Sequence, residues 1–254
     1  AVVTSAGANS LDKLTASGSE MTMGATTIAG DMELTGGSYA FDSFAVAGNA
    51  DITDVSGTLT KGDSSFGTMT VNGISNAAFT GTTSIADALT NAASVTFGTL
   101  NITGAAATVT NTGAITADAV TGSGVTYNQT AGSLSMASNG LSDSTLTVTG
   151  GTVKTDTLGV GNTWTLGTAS TDGALIRAGS DVVMEVGNLT SDSIVSINTG
   201  ANLVAENINL DGTLDTVTLA GGTLTTMLDQ VFDDVSKSAI DIGAGEPGDV
   251  VDVE

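Results

Sequence analysis

The chain has 254 residues, of which only 13% are charged; Lys+Arg number 5 against 27 Asp+Glu, for a net charge of −22, and there is no Cys or His. That balance repels phosphate backbones, whose affinity for proteins rests on Lys and Arg, so nucleic acid and anionic membrane are disfavoured as partners. The missing Cys and His remove disulfides, thiolate metal sites, the commonest general base and the commonest metal ligand, and much enzyme chemistry with them.

With 40% hydrophobic residues the chain can bury a core, while its polar surface must come mainly from Thr, Ser, Asn and Gly, which suit strands and turns better than solvated helices. Residues 1–29 read as an N-terminal lead-in segment of small residues, in which Leu11 and Leu14 flank Asp12-Lys13 as one helical turn would. The start, Ala1-Val2-Val3-Thr4, has neither an initiating Met nor a basic n-region, as expected either of an exported chain trimmed of its leader, the preferred reading, or of an excised segment. No window offers about 18 uninterrupted apolar residues, so no helical membrane span is expected.

Residues 30–225 repeat a short phrase: Gly, then Thr or Ser, then an apolar-polar-apolar alternation, the period-2 pattern of a half-buried strand. Gly67-Thr68-Met69-Thr70-Val71, Gly98-Thr99-Leu100-Asn101-Ile102 and Gly132-Ser133-Leu134-Ser135-Met136 are three copies. Turn signals such as Asn72-Gly73, Asn139-Gly140 and Asp211-Gly212 separate them. From Gly104 the glycines fall at 113, 122, 132, 140 and 150. A strand with its turn therefore takes about ten residues, and two or three of them make a coil of about 20 to 30, the scale of solenoid repeats.

One such coil buries too little to stand alone: about four aliphatic side chains give roughly 6 to 12 kcal/mol, against roughly 20 to 40 kcal/mol of backbone entropy for about twenty residues. Stacked coils share ladders and apolar contacts with both neighbours. The fold class expected is all-β, a parallel β-helix (β-solenoid), with repeated β-sandwiches as the alternative that ten-residue strand spacing also allows. The only proline, Pro247, lies outside the repeats, as continuous ladders require.

From Thr226 the pattern changes. Met227, Leu228, Val231, Phe232, Val235, Ala239 and Ile240 follow helical spacing, and Thr226 with Asp229 resembles a capping box. A short C-terminal capping helix over 226–240 is predicted, covering the strand edges of the last coil. A linker around Pro247 and an acidic tail complete the region 226–254.

The phrases Gly150-Gly151-Thr152-Val153 and Gly221-Gly222-Thr223-Leu224 resemble the passenger regions of bacterial autotransporters and related β-helical surface adhesins, over roughly residues 30–225. The resemblance is one of composition. It implies a right-handed parallel β-helix displayed outside the cell for adhesion, self-association or a surface coat, without catalysis. No C-terminal membrane barrel follows the repeats in this sequence, which brings a secreted layer- or filament-forming subunit alongside the displayed passenger.

Candidate sites are few, and no cofactor is expected. Acidic residues fall in loose groups that suit calcium, namely Asp51 with Asp54, Asp211 with Asp215, and Asp233 with Asp234, with Asp31 and Glu33 similar, although solvated turn carboxylates look the same. Three sequons place possible glycans on Asn101, Asn128 and Asn188. Trp164 stands alone as a tryptophan, and Phe66, Phe79 and Phe97 fall in strand-like runs that suit core stacking better than a sugar cleft, which argues against a polysaccharide-active enzyme. Thr-x-Thr pairs (58/60, 68/70, 147/149, 163/165, 223/225) raise a threonine face like that of β-solenoid ice-binding proteins, but their unequal spacing argues against a regular array. The functional expectation is an extracellular structural or adhesive cell-surface protein that self-associates into a homo-oligomer or polymer, with a glycan- or receptor-binding fibre domain as the alternative.

Overall fold

Alternation of apolar with short polar residues puts every second side chain on one side of an extended backbone, and this chain uses the pattern throughout. In the computed structural model, which describes residues 2–157, 162–166, 182–190, 194–198, 201–209, 216–220, 223–226, 239–242 and 250–253, every regular element is a β-strand. The chain divides into two compact units, Ala1–Ser123 and Gly124–Glu254.

The first unit contains β1 (Val2–Ser5), β2 (Asn9–Leu11), β3 (Leu14–Met23), β4 (Thr26–Ile28), β5 (Met32–Phe41) and β6 (Phe44–Thr53). It continues through β7 (Ser56–Thr60), β8 (Ser64–Asn72), β9 (Asn76–Asn91), β10 (Ser94–Ile102), β11 (Thr108–Asn111) and β12 (Ala114–Ser123). All pairings among them are parallel: β1 with β3 and β3 with β5, β2 with β4 and β4 with β6, then β6 with β8, β8 with β9, β9 with β10 and β10 with β12. Sandwiches pair their strands in antiparallel hairpins and Greek keys. The parallel ladders therefore overturn that alternative and make the architecture the expected β-solenoid.

Each coil lays down a strand on three faces. The first face takes 32–35, 50–53, 68–71, 88–91 and 108–111 in turn, the second 38–41, 56–60, 76–79, 94–97 and 114–117, and the third 44–46, 64–66, 83–85, 99–102 and 119–122. Register aligns the inward side chains into columns. On the first face Leu14, Met32, Ala50, Met69, Leu89 and Val109 stand one above another, and beside them Ala16, Leu34, Ile52, Val71, Asn91 and Asn111; all twelve are buried. In the first of these columns successive coils are 18, 18, 19, 20 and 20 residues apart, and the tightest steps, Asn9 to Thr26 and Thr82 to Thr99, are 17. The coil is shorter than most of the expected range because all three strands and the corners between them are only a few residues long.

The second and third faces meet in an aromatic column. Phe41 and Phe44 lie 4.8 Å apart between ring centroids, Phe44 and Phe66 5.1 Å, Phe66 and Phe79 6.0 Å, and Phe79 and Phe97 5.3 Å, alternating tilted, edge-on and stacked geometries that favour aromatic pairs. Thr60 interrupts the column. It sits in register between Phe41 and Phe79, is 1% exposed, and its hydroxyl has no hydrogen-bond partner.

Unequal coil lengths are absorbed where the chain turns. The ladders slip by a residue between Val46 and Asn49, between Phe66 and Thr68, and between Phe97 and Thr99, all between faces, and once within the second face, between Thr58 and Thr60. The recurrent glycine is a packing requirement at such corners: a Cβ on Gly62 would stand 2.6 Å from the Asp42 carbonyl oxygen, and one on Gly81 2.6 Å from that of Gly62. Backbones stacked this closely leave no room for a side chain.

The second unit follows the same rule. It begins with β13 (Thr126–Gln129), β14 (Ser133–Ser142), β15 (Thr145–Val148), β16 (Thr152–Thr157), β17 (Thr163–Leu166) and β18 (Val182–Thr190). Then come β19 (Ile194–Asn198), β20 (Ala201–Asn209), β21 (Thr216–Ala220), β22 (Thr223–Thr226), β23 (Ala239–Ile242) and β24 (Val250–Val253). Along one ladder Thr126 faces Thr145, Thr145 faces Thr163, Thr163 faces Ile194 and Ile194 faces Thr216, steps of 19, 18, 31 and 22 residues.

Two expectations change. The stretch 1–29 already carries β1 to β4 in the common ladders; no helical turn forms around Asp12-Lys13, because Leu11 closes one strand and Leu14 opens the next with a bend between them. At the other end, both limits of the predicted helix are strands: Thr226 closes β22, and Ala239 and Ile240 open β23, which pairs with β21. Residues 227–238, the body of that capping helix, lie outside the described residues.

Replacing Ile52, fully buried in its column, by Ala leaves a cavity that neighbouring coils cannot collapse into, with an expected loss of about 2 to 5 kcal/mol in urea unfolding. Thr60→Val removes the orphan hydroxyl at nearly constant shape, and the same measurement should register a gain of about 1 kcal/mol.

Candidate functional site: the corners and outer faces

Short side chains, mostly Thr, Ser, Asn and Ala, alternate with the buried inward positions, so recognition falls to the corners and outer faces. At the corners, carboxylates hold one coil to the next. Asp31 accepts a hydrogen bond from the Asn49 N–H at 2.9 Å, Asp54 from the Ile74 N–H at 2.8 Å and Asp63 from the Thr82 N–H at 2.9 Å. Asp54 does so from a left-handed backbone, φ 57°, beneath the Asn72-Gly73 turn, where Gly73 also has positive φ.

This arrangement separates the calcium candidates of the first unit. Asp51 is exposed on the outer side of β6, with its carboxylate accepting from the Thr53 hydroxyl at 3.0 Å, while Asp54 turns to the Ile74 amide. Among the described residues no group of three or more Asp, Glu, His or Cys side chains gathers as a metal site would require. Asp211, Asp215, Asp233 and Asp234 lie outside the described residues. Of the sequons, Asn101 is half-buried within β10 and accepts the Thr121 hydroxyl at 3.0 Å, Asn128 is half-buried within β13, and Asn188 lies in β18.

Buried polar side chains also serve the corners, and sequence reasoning missed them. The Asn91 amide donates to Asn111 Oδ1 at 2.8 Å and to the Ala93 carbonyl at 2.9 Å, so a two-step amide ladder continues an otherwise aliphatic column. Ser75 accepts the Val55 N–H at 3.1 Å while donating to the Asn72 carbonyl, and Ser144 repeats the device in the second unit with Val125 and Ser142. In sequence these residues look like ordinary turn formers. Burial pushes the pKa of the Tyr39 hydroxyl above its ordinary value, opposed by a hydrogen bond with the Ser19 backbone.

The aromatics expected to stack do so. Phe66, Phe79 and Phe97 are at most 2% exposed, which removes them from any outer sugar-binding surface, and Trp164 lies in β17. The threonine pairs separate into different roles. Thr60 points inward, Thr149 donates to the Gln129 carbonyl, and Thr68 with Thr70 lies on the outer side of the first face. There Thr68 is in register with Ala88 and Ala88 with Thr108, while Thr70, Thr90 and Thr110 form a second column. Equal sequence spacing is thus unnecessary for alignment, because the corners take up the difference.

Among the described residues no helix is long and apolar enough to cross a membrane. Comparison with protein-family models, with curated proteins and with solved structures finds no match to this chain.

Asp54→Ala should cost about 1 kcal/mol in a urea titration, since it removes the acceptor of the solvent-exposed Ile74 amide and places a Cβ-bearing residue without a compensating side-chain hydrogen bond at positive φ. Asp54→Asn, which keeps an acceptor oxygen and tolerates that backbone, should retain most of the stability.

Proposed function

We propose that this chain is an extracellular structural or adhesive cell-surface protein whose coils form a stiff, self-associating scaffold. The observation that carries the reading is the division of labour in the coil. Inward positions form continuous packed columns, and outward positions present short hydroxyl and amide side chains with scattered carboxylates, a surface suited to lying against something repetitive. Parallel ladders have open edges in every coil stack, and such edges template further pairing. A net charge of −22 keeps copies apart until cations screen or bridge them, which makes assembly sensitive to salt and to calcium.

The fibre-domain and polysaccharide-enzyme readings have less support. Sugar sites are lined by aromatics, and Tyr39, Phe41, Phe44, Phe66, Phe79 and Phe97 all lie in the core of the first unit.

Electron microscopy of the purified chain at fixed concentration, with and without millimolar calcium, tests the proposal. Ordered filaments or sheets are expected, and more of them with calcium. Isolated particles under every condition, with a single monomeric species in sedimentation, would overturn self-association.

A further inference from the structure

The outer side of the first face carries an ordered two-dimensional array. Thr68 and Thr70, Ala88 and Thr90, and Thr108 and Thr110 sit on three successive coils in unbroken register, with no bulge within these segments. Strand geometry sets their spacing at about 4.8 Å between coils and about 6.7 Å along each strand. The second unit repeats the arrangement by itself, with Thr126 and Asn128 in register with Thr145 and Thr147, and Thr145 with Thr163. In both units these threonines are exposed or half-buried.

Three further observations say what such a face suits. First, the hydroxyls of Thr68, Thr70, Thr90, Thr108 and Thr110 make no hydrogen bond among the described residues, whereas Thr53, Thr103 and Thr112 spend theirs within the chain. Second, charge leaves this column where the array starts: it carries Glu33 and Asp51 in the preceding coils and then Thr70, Thr90 and Thr110, while the exposed Asp87 stands at the corner that borders the array. Third, no aromatic lies on it, which disfavours a sugar chain. The β-branched threonine is stiff at χ1, which limits the orientations its methyl and hydroxyl groups take along a fixed ladder. The occupant matched by an uncharged lattice of hydroxyls and methyls, without aromatic platforms, is a lattice of water.

We propose that the first outer face of these coils binds ice, its threonine rows holding ordered water in positions that a growing crystal surface can adopt. The proposal goes beyond the scaffold reading and holds whether or not the chain self-associates.

The test is partition of the full-length chain into a slowly grown ice shell, with microscopy of ice recrystallisation, beside a globular control protein. The wild type is expected to enter the ice above the control and to slow recrystallisation. Thr70→Lys/Thr90→Lys together with Thr145→Lys/Thr147→Lys should return both readouts to the control level, while Ser65→Lys, on the outer side of the third face, should leave them unchanged. Circular dichroism melting establishes that the variants fold; if they do not, the wild type's own partition decides. A wild type excluded from ice like the control overturns the proposal. So does retention that the threonine variants do not reduce, or sedimentation showing that those variants lose a dimer and nothing else, which would make the face a contact between copies.

Discussion

Parallel pairing between successive coils is the constraint from which everything else here follows. A strand in such a ladder finds its partner nearly twenty residues away, so its hydrogen bonds form only when the intervening chain has closed a circuit. Closure of one circuit gains too little to offset its entropy, and stability arises from repetition. The ladder also decides the side chains: once Leu14 stands opposite Met32, every second residue on both coils is committed inward, and a slip of one residue would turn the whole column to solvent.

That commitment explains why the interior accepts different solutions at different heights. On the first face one column stays apolar through Leu89 and Val109, while its neighbour is aliphatic as far as Val71 and then continues with the Asn91 and Asn111 amides, which bond one another and the corner backbone. The second and third faces fill the space between them with phenyl rings. A buried polar group is tolerable where it is hydrogen-bonded, as at Ser75 and Ser144. Thr60 departs from that rule, and nothing in its surroundings explains why a hydroxyl rather than a methyl stands between Phe41 and Phe79.

Much of the strand content was legible from residues alone, since phrases such as Gly67-Thr68-Met69-Thr70-Val71 declare both a tight corner and an alternating strand. The solenoid class was legible for the same reason. Register was not, because it is a property of pairs of coils: steps of 17 to 20 residues look irregular in one dimension and become alignment only when corners bulge. In the segment 1–29 the small residues and Asp12-Lys13 hide the alternation that Leu14, Ala16, Met21 and Met23 carry, so the sequence resembles a lead-in where the fold has strands. The acidic pairs misled in a different way. Asp51 and Asp54 are close in sequence but lie on a strand and at a corner, and the Asp54 carboxylate is directed to the coil above.

Corners that absorb residues have a consequence for how such a molecule changes over time. From Thr82 to Thr99 the chain makes a step of 17 residues and from Leu89 to Val109 one of 20, yet both sets of positions pair in the same parallel ladders. Insertions and deletions at corners therefore leave the columns undisturbed, while duplication of a whole coil lengthens a stack by about 4.8 Å without requiring any new kind of contact. Length, in this architecture, is a quantity that tandem duplication can adjust in equal increments, and each increment carries its own portion of every outer face.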